Sequence, residues 1–83
     1  MPQTTHLKRL MFQSTHRGTK ETDMVLGGYA TAKLAQLNET ELALYEQILD
    51  EQDADIWDWL IEKSPPPQKF AELVVELRGY GKR

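Results

Sequence analysis

The residue types best suited to binding chemistry are concentrated in residues 16–23, a stretch with the sequence HRGTKETD. It contains five ionisable side chains and one glycine, and it joins two segments with helical periodicity. Arg17 carries a permanently charged guanidinium whose planar fork of donors suits a carboxylate, phosphate or carbonyl oxygen of a partner. The stretch is therefore the first candidate for a binding site.

The same residues also fit an ordinary helix-turn-helix corner. Gly18 can end the first helix in a left-handed conformation, which costs glycine little, and Thr19 can cap the second helix. Glu21 and Asp23 would then lie in the first helical turn, where the dipole favours carboxylates. The corner interpretation leaves Arg17 unexplained, because an arginine projecting from a tight turn has no obvious capping role. Both interpretations remain open at this point.

Apolar periodicity predicts an all-α fold, a compact five-helix bundle of short helices. The chain of 83 residues is expected to form a single helical domain, residues 1–83, with a core from about residue 5 to residue 78. The predicted helices cover about 5–16, 20–36, a segment after residue 38, a segment from residue 53, and 68–78. Residues 1–4 and 79–83 are expected to fray.

Helix ends and packing can be predicted from single residues. Asn38 and Glu41 have capping-box spacing, and Asp53 is expected to cap the fourth helix. The prolines at 65–67 are expected to end that helix, and Gly79 is expected to end the fifth. Trp59 should be a core anchor, whereas Trp57 should stay partly exposed. Residues 27–28, two glycines within the second helix, indicate a bend or a close helix contact, since each costs roughly 1 kcal/mol relative to alanine.

Composition excludes several classes of protein. The chain has no cysteine, so it has neither a disulfide framework nor a thiolate metal site. Its apolar runs are too short to span a membrane. The first residues show no secretory signal and are too short for an intact mitochondrial transit peptide. A bacterial cytoplasm is therefore the expected location, or the mitochondrial matrix for a processed eukaryotic form.

Charge is distributed unevenly along the chain. Residues 1–20 carry four basic side chains and no acidic one, whereas residues 21–63 carry eleven acidic and two basic side chains, and the net charge is −3. Four cations without interleaved aromatic residues are few for binding a nucleic acid duplex. The basic first helix therefore favours an acidic protein surface over nucleic acid.

Catalytic and metal-binding patterns are scarce. His6 and His16 lack an acidic partner at metal-ligand spacing, and we expect both to be solvated. The carboxylates of residues 50–58 do not follow a calcium-loop pattern, and no phosphate loop or nucleophile motif is present. We expect no metal site and no enzymatic activity.

The 16–23 stretch also resembles a known family. Arg17-Gly18-x-x-Glu21-x-Asp23 resembles the R-G-x-x-E-x-D signature of the small FAD assembly factors of the SdhE type, whose mitochondrial counterpart is succinate dehydrogenase assembly factor 2. Thr19 stands where members usually carry methionine.

The resemblance extends over roughly residues 7–63, with further motifs in the family's order. They are the basic-apolar opening Lys8-Arg9-Leu10-Met11-Phe12, then Leu26-Gly27-x-Tyr29, Leu37-Asn38-x-x-Glu41, Tyr45-x-x-Ile48-Leu49-Asp50, and Asp53-x-Asp55-Ile56-x-x-Trp59-Leu60. The signature alone is weak evidence, but the ordered set is strong.

The resemblance implies an interaction protein that binds the flavoprotein subunit of succinate dehydrogenase or of fumarate reductase. Such a factor would hold a conformation in which FAD becomes covalently linked to a histidine of the partner, and it would donate no catalytic group. FAD would belong to the partner and would not be bound stably by this chain. The predicted contact residues are Arg17, Gly18, Glu21 and Asp23 of the signature, with His16 beside it and Arg9 on the basic helix.

A second hypothesis comes from a different functional class. The basic N-terminal helix could serve a small regulatory binding protein, such as an antitoxin or a nucleic-acid adaptor. Salt-sensitive binding to nucleic acid would favour this alternative, whereas copurification with a larger flavin-bearing protein would favour the assembly factor.

Overall fold

Five α-helices account for most of the described chain. The computed structural model describes the backbone of residues 2–80 and the side chains of residues 5–80. The helices are α1 (Pro2–Thr15), α2 (Lys20–Lys33), α3 (Glu39–Leu49), α4 (Asp53–Leu60) and α5 (Ala71–Tyr80). Short 3-10 turns at Leu34–Gln36 and Gln68–Phe70 follow α2 and precede α5. Residues 2–80 contain no strand, and the prediction of an all-α bundle is confirmed.

The central helix is α2, which packs against α1, α4 and α5. One apolar cluster, to which every helix contributes, fills the space between the helices. Its largest fully buried members include Tyr45 and Phe70, and the ring of Phe70 lies 5.9 Å from that of Trp59. Trp59 is 7% exposed and Trp57 is half-buried, as predicted for both tryptophans.

The two glycines of α2 have different reasons to be there. A Cβ added at Gly27 would lie 2.9 Å from Cγ2 of Thr15, so the expected close helix contact is confirmed at this position. A Cβ added at Gly28 would lie 3.7 Å from the Tyr80 ring, an ordinary van der Waals distance. The close approach of α1 and α2 at Gly27 fixes the geometry of the turn between them.

The start of α3 agrees with the sequence prediction, whereas the end of α4 does not. The side chains of Asn38 and Glu41 form the predicted capping box at the start of α3. The expectation that the prolines end α4 is wrong, because α4 already ends at Leu60. Glu62 then adopts a left-handed conformation with φ 63°, and the backbone N–H of Lys63 donates to the Asp58 carbonyl at 2.8 Å.

The last helix also extends beyond its predicted end. Gly79 does not end α5, which continues to Tyr80. The Tyr80 ring lies edge-on to the Tyr29 ring at 5.6 Å, and this contact provides a packing reason for the extra helical residues. At the other end of the chain, α1 begins at Pro2, ahead of the predicted start. The fraying expected for residues 1 and 81–83 lies outside the described residues.

Candidate protein-docking site

The turn between α1 and α2 has the backbone conformation that the sequence predicts. Gly18 has φ 99°, which confirms the left-handed conformation. A Cβ built at Gly18 would meet nothing within 4 Å. The requirement for glycine inside this chain is therefore conformational, since space alone would admit a side chain.

Arg17 does not project from this turn as expected. Its side chain is only 11% exposed, and its Nε donates to Oδ1 of Asp53 at 2.5 Å. Its Nη1 donates to the carbonyl of Leu49 and its Nη2 to the carbonyl of Glu51, both at 2.6 Å. These two carbonyls belong to the end of α3 and to the segment after it, where backbone acceptors lack helical partners. The expectation that Arg17 has no capping role is wrong.

Asp53 links both sides of the turn to the start of α4. One of its carboxylate oxygens accepts from Arg17, and the other accepts from the Thr19 hydroxyl at 3.2 Å. The predictions that Thr19 caps α2 and that Asp53 caps α4 are therefore wrong for both side chains. Thr19 does precede α2 but makes no side-chain cap bond, and Gln52 is the residue that precedes α4. A partner distant in sequence outcompetes the local cap in both cases.

The remaining signature residues divide between the inside and the surface of the turn. Asp23 is half-buried, and its Oδ1 accepts from the backbone N–H of Arg17 at 2.9 Å. Glu21 is exposed. His16 is exposed as well, and its ring stacks on the Phe12 ring with the centroids 3.9 Å apart. The turn thus presents His16, the Gly18 backbone and Glu21 outward, with Arg17 and Asp23 holding it from within.

Arg9 lies apart from the turn, about 10 Å along α1 from His16. Its Nη2 is 2.6 Å from Oε2 of Glu46 on α3, and its side chain is 57% exposed. Nε2 of His6 lies 3.1 Å from the other carboxylate oxygen of Glu46. The expectation that His6 is solvated is therefore wrong, because it is partly buried and contacts an acidic side chain.

A buried polar network supports the turn, and sequence analysis did not identify it. The Ser14 and Tyr45 hydroxyls lie 2.6 Å apart, and the Tyr45 hydroxyl donates to the Leu26 carbonyl at 3.3 Å. Burial raises the pKa of Tyr45 to about 12, although the hydrogen bond with Ser14 and the charge of Arg17 oppose the increase. The only signal in the sequence was a serine on the apolar stripe of α1.

Two further properties bear on the kinds of site this chain can provide. Among the described residues, no three His, Asp or Glu side chains are grouped closely enough to bind a metal ion. Within the same part of the chain, none of the helices is long and apolar enough to cross a membrane. The arrangement around the turn is one of carboxylates, backbone and an aromatic-imidazole stack, which suits recognition of another protein surface.

Comparison with known proteins identifies several relatives of this chain. Succinate dehydrogenase assembly factor 2, mitochondrial, from Dictyostelium discoideum is 37% identical over 70 residues, which are 84% of this chain and 50% of the relative. The protein of the same name from Saccharomyces cerevisiae is 44% identical over 77 residues, 87% of this chain and 48% of the relative. FAD assembly factor SdhE from Acetobacter pasteurianus is 39% identical over 64 residues, 77% of this chain and 59% of the relative.

The chain spans about half the length of the mitochondrial relatives described above. The family model described as flavinator of succinate dehydrogenase matches residues 8–80. This range includes the turn between α1 and α2, Asp53, α1 from residue 8 onward and all of the other four helices, and it confirms the resemblance seen in the sequence. The protein belongs to the family of the flavinator of succinate dehydrogenase.

Proposed function

We propose that this protein is an assembly factor that binds the flavoprotein subunit of succinate dehydrogenase, or of the related fumarate reductase, and promotes its covalent flavinylation with FAD. The observation that carries the proposal is the family match over residues 8–80. The names of the relatives support it, since they describe succinate dehydrogenase assembly and FAD assembly.

The chain would act by positioning its partner rather than by supplying a reacting group. A surface that holds the flavoprotein in one conformation can align FAD with the residue to which it becomes attached, and such alignment accelerates a reaction without a chemical contribution from the helper. The rigid support of the turn by Arg17 and Asp53 suits this role. The protein would therefore be a chaperone and not an enzyme.

The six predicted contact residues would have different roles, some in direct contact with the flavoprotein and others in holding the turn. His16, Gly18 and Glu21 would touch the flavoprotein, because they face outward at the turn. Arg17 and Asp23 would contribute mainly by holding those three in place. Arg9, on the exposed face of α1, would add a contact outside the turn.

FAD would be bound by the partner and not stably by this chain. The turn supports this proposal because Arg17 is paired with Asp53 and the exposed carboxylate of Glu21 offsets the charge of the exposed Lys20, which leaves no net positive charge to hold the diphosphate of FAD. The protein would act in a bacterial cytoplasm, or in the mitochondrial matrix if it is a processed eukaryotic form. The relatives that support this include the FAD assembly factor SdhE of a bacterium and assembly factors named as mitochondrial.

The alternative of an antitoxin or nucleic-acid adaptor is not favoured. It relied on the cations of residues 1–20, but Arg17 is turned inward to Asp53 and Arg9 is paired with Glu46. Too few free cations then remain on this face for a duplex backbone.

Covalent flavin on the partner provides the test. The flavoprotein subunit is co-expressed with this chain, with its Glu21→Ala variant, or alone in a host that lacks its own assembly factor. Fluorescence of the denatured subunit in a gel reports covalently attached flavin. We expect strong fluorescence with the parent chain and much less with the other two. Equal fluorescence in all three samples would overturn the proposed function.

A further inference from the structure

An open groove of about 820 Å³ lies beside the docking turn, which is the segment of residues 16–23 that joins α1 to α2. The groove has α2 on one side and α4 and α5 on the other. Its apolar lining includes Met24, which is 65% exposed, and Ile61, which is 49% exposed. The half-buried rings of Trp57 and Tyr80 also line it. Exposed apolar side chains that share one concave surface are typical of a protein interaction site.

The edges of this groove are acidic. Glu21 and Glu62 line it, are exposed, and form no ion pair among the described residues. Arg78 is the cation in the described lining, where its Nε and Nη2 donate to the Trp59 carbonyl at 3.2 and 2.8 Å, and its single charge opposes the three carboxylates of Glu21, Asp23 and Glu62. An occupant with basic side chains beside an apolar segment would therefore be complementary to the groove.

We propose that the groove binds an apolar segment of the flavoprotein subunit that carries lysine or arginine side chains opposite Glu21 and Glu62. This inference rests on the proposed function and extends it, because Glu21 belongs both to the docking turn and to the groove. One partner surface can thus cover the turn and the groove together. A helix with apolar side chains on one face would fit, as in other complexes in which a groove receives a helix.

Charge argues against the flavin cofactor itself as the occupant. A groove of about 820 Å³ lies within the range of about 300–1,000 Å³ that is usual for small-ligand sites. The diphosphate of FAD, however, would meet the carboxylates of Glu21, Asp23 and Glu62, and Arg78 is the one cation in the described lining that opposes them. A basic protein segment avoids this repulsion.

Aspartate substitutions in the groove test the proposal. Met24→Asp and Ile61→Asp place a charge on the apolar lining, whereas the control Val75→Asp places it on an α5 residue that is 62% exposed and outside the groove. The dissociation constant for the purified flavoprotein subunit is measured by titration calorimetry, and melting is followed for each variant. We expect at least about tenfold weaker binding for the two groove variants and at most about a twofold change for the control.

Two further variants separate the apolar and the charge contributions. Met24→Gln removes apolar contact without adding a charge, so it remains informative if an aspartate variant fails to fold. Glu62→Gln removes the charge of one carboxylate at the edge of the groove. We expect this variant to bind the flavoprotein more weakly and with a smaller dependence on salt concentration. Groove variants that melt like the parent and bind as tightly would overturn the inference.

The remaining outcomes distinguish this inference from the proposed function. A parent chain that does not bind the flavoprotein at all would overturn the proposed function as well. If sedimentation shows a dimer of the parent that Ile61→Asp dissociates without affecting flavoprotein binding, a second copy is the occupant and the inference fails. It also fails if free FAD quenches the tryptophan fluorescence of the parent, Trp57→Phe removes that quenching, and the flavoprotein does not compete.

Discussion

At the scale of single residues, Arg17 connects the docking turn of residues 16–23 to the rest of the molecule. Its guanidinium bonds to the Leu49 and Glu51 carbonyls and to the carboxylate of a third residue, Asp53. The planar guanidinium reaches all three acceptors at once because Nε, Nη1 and Nη2 donate in different, fixed directions. The docking and corner interpretations of the sequence therefore do not exclude each other, because the same arginine can shape the corner that docks.

We expect Arg17→Ala to lower the free energy of unfolding by about 2–3 kcal/mol, because it leaves a partly buried carboxylate and two carbonyls without their donor. Arg17→Lys should recover only part of the loss, since an ammonium keeps the charge but lacks the planar fork. Urea denaturation measures both. Arg9→Ala is the control, and its exposed ion pair should contribute less than about 1 kcal/mol. A melting temperature unchanged by Arg17→Ala would contradict the structural role.

Gly18 allows a matched comparison with a second glycine. Gly18→Ala forces a Cβ into a left-handed conformation, and we expect a loss of about 1–2 kcal/mol. Gly79→Ala is the control, because Gly79 lies in α5 with open space around the added carbon and no positive φ. That change should be neutral or stabilising by up to about 1 kcal/mol. If thermal melting shows equal effects for the two variants, the strain argument at Gly18 fails.

At the scale of helices, the carboxylate of Asp53 positions α4 against the α1–α2 turn. Asp53 and Asp55 both lie in the first turn of α4, so both interact favourably with its dipole. Asp53 additionally accepts from Arg17 and Thr19, whereas Asp55 is exposed and has no such partner among residues 5–80. A comparison of substitutions at the two positions therefore measures how much the contact between α4 and the α1–α2 turn contributes to stability.

We expect Asp53→Asn to destabilise the fold by about 1–2 kcal/mol more than Asp55→Asn, because the ion pair with Arg17 becomes a hydrogen bond to a neutral amide oxygen. Chemical denaturation of the two variants gives this difference directly. Asp53→Asn should also weaken flavoprotein binding, whereas Asp55→Asn should leave it close to that of the parent. Identical denaturation curves for the two variants would show that the contact does not stabilise the turn.

The sequence was sufficient for several features that depend on neighbours in the chain. The capping box of Asn38 and Glu41, the left-handed Gly18 and the buried Trp59 each follow from spacing or periodicity within a few residues. The role of Arg17 depends on acceptors that lie 32 to 36 residues further along the chain. Local patterns do not show which distant carbonyls a helix end leaves without donors.

The same reason explains the wrong cap predictions at the starts of α2 and α4, whereas the end of α4 has a local cause. Thr19 and Asp53 are good caps by residue type, yet each has its side chain in the contact between the turn and α4. At Glu62 the chain adopts a conformation that usually requires glycine, so composition indicated no helix end there. In the candidate site, residue types predicted the turn, and tertiary contacts decided which of its side chains face outward.

At the scale of the whole molecule, two buried tyrosines couple stability to alkaline pH. The rings of Tyr29 and Tyr45 lie 5.3 Å apart in the core between α2 and α3. Burial is the main cause that raises the pKa of each to about 12, and the nearby charge of Glu76 adds to the effect at Tyr29. An exposed tyrosine in the unfolded chain keeps an ordinary pKa of about 10.

The sign of the effect follows from proton binding. Between about pH 10 and pH 12 the unfolded chain loses its tyrosine protons while the folded protein retains them, so the free energy of unfolding falls as the pH rises. The stabilising contribution is fully present below pH 10. We expect a loss on the order of 1–2 kcal/mol for each tyrosine across this interval. Urea denaturation at pH 9 and pH 11, followed by far-ultraviolet circular dichroism, measures the loss.

Tyrosine-to-phenylalanine variants assign this loss to the core. Tyr29→Phe removes one titrating hydroxyl from the core, so the variant should lose about half as much stability as the parent between pH 9 and pH 11. Tyr45→Phe should show the same smaller pH dependence, together with a lower stability at neutral pH, because Ser14 and the Leu26 carbonyl lose their contacts with the hydroxyl. The half-buried Tyr80 provides the control, and Tyr80→Phe should follow the parent more closely than either core variant. If both core variants lose as much stability as the parent, the alkaline transition originates elsewhere in the molecule and the coupling through the tyrosine pair is wrong.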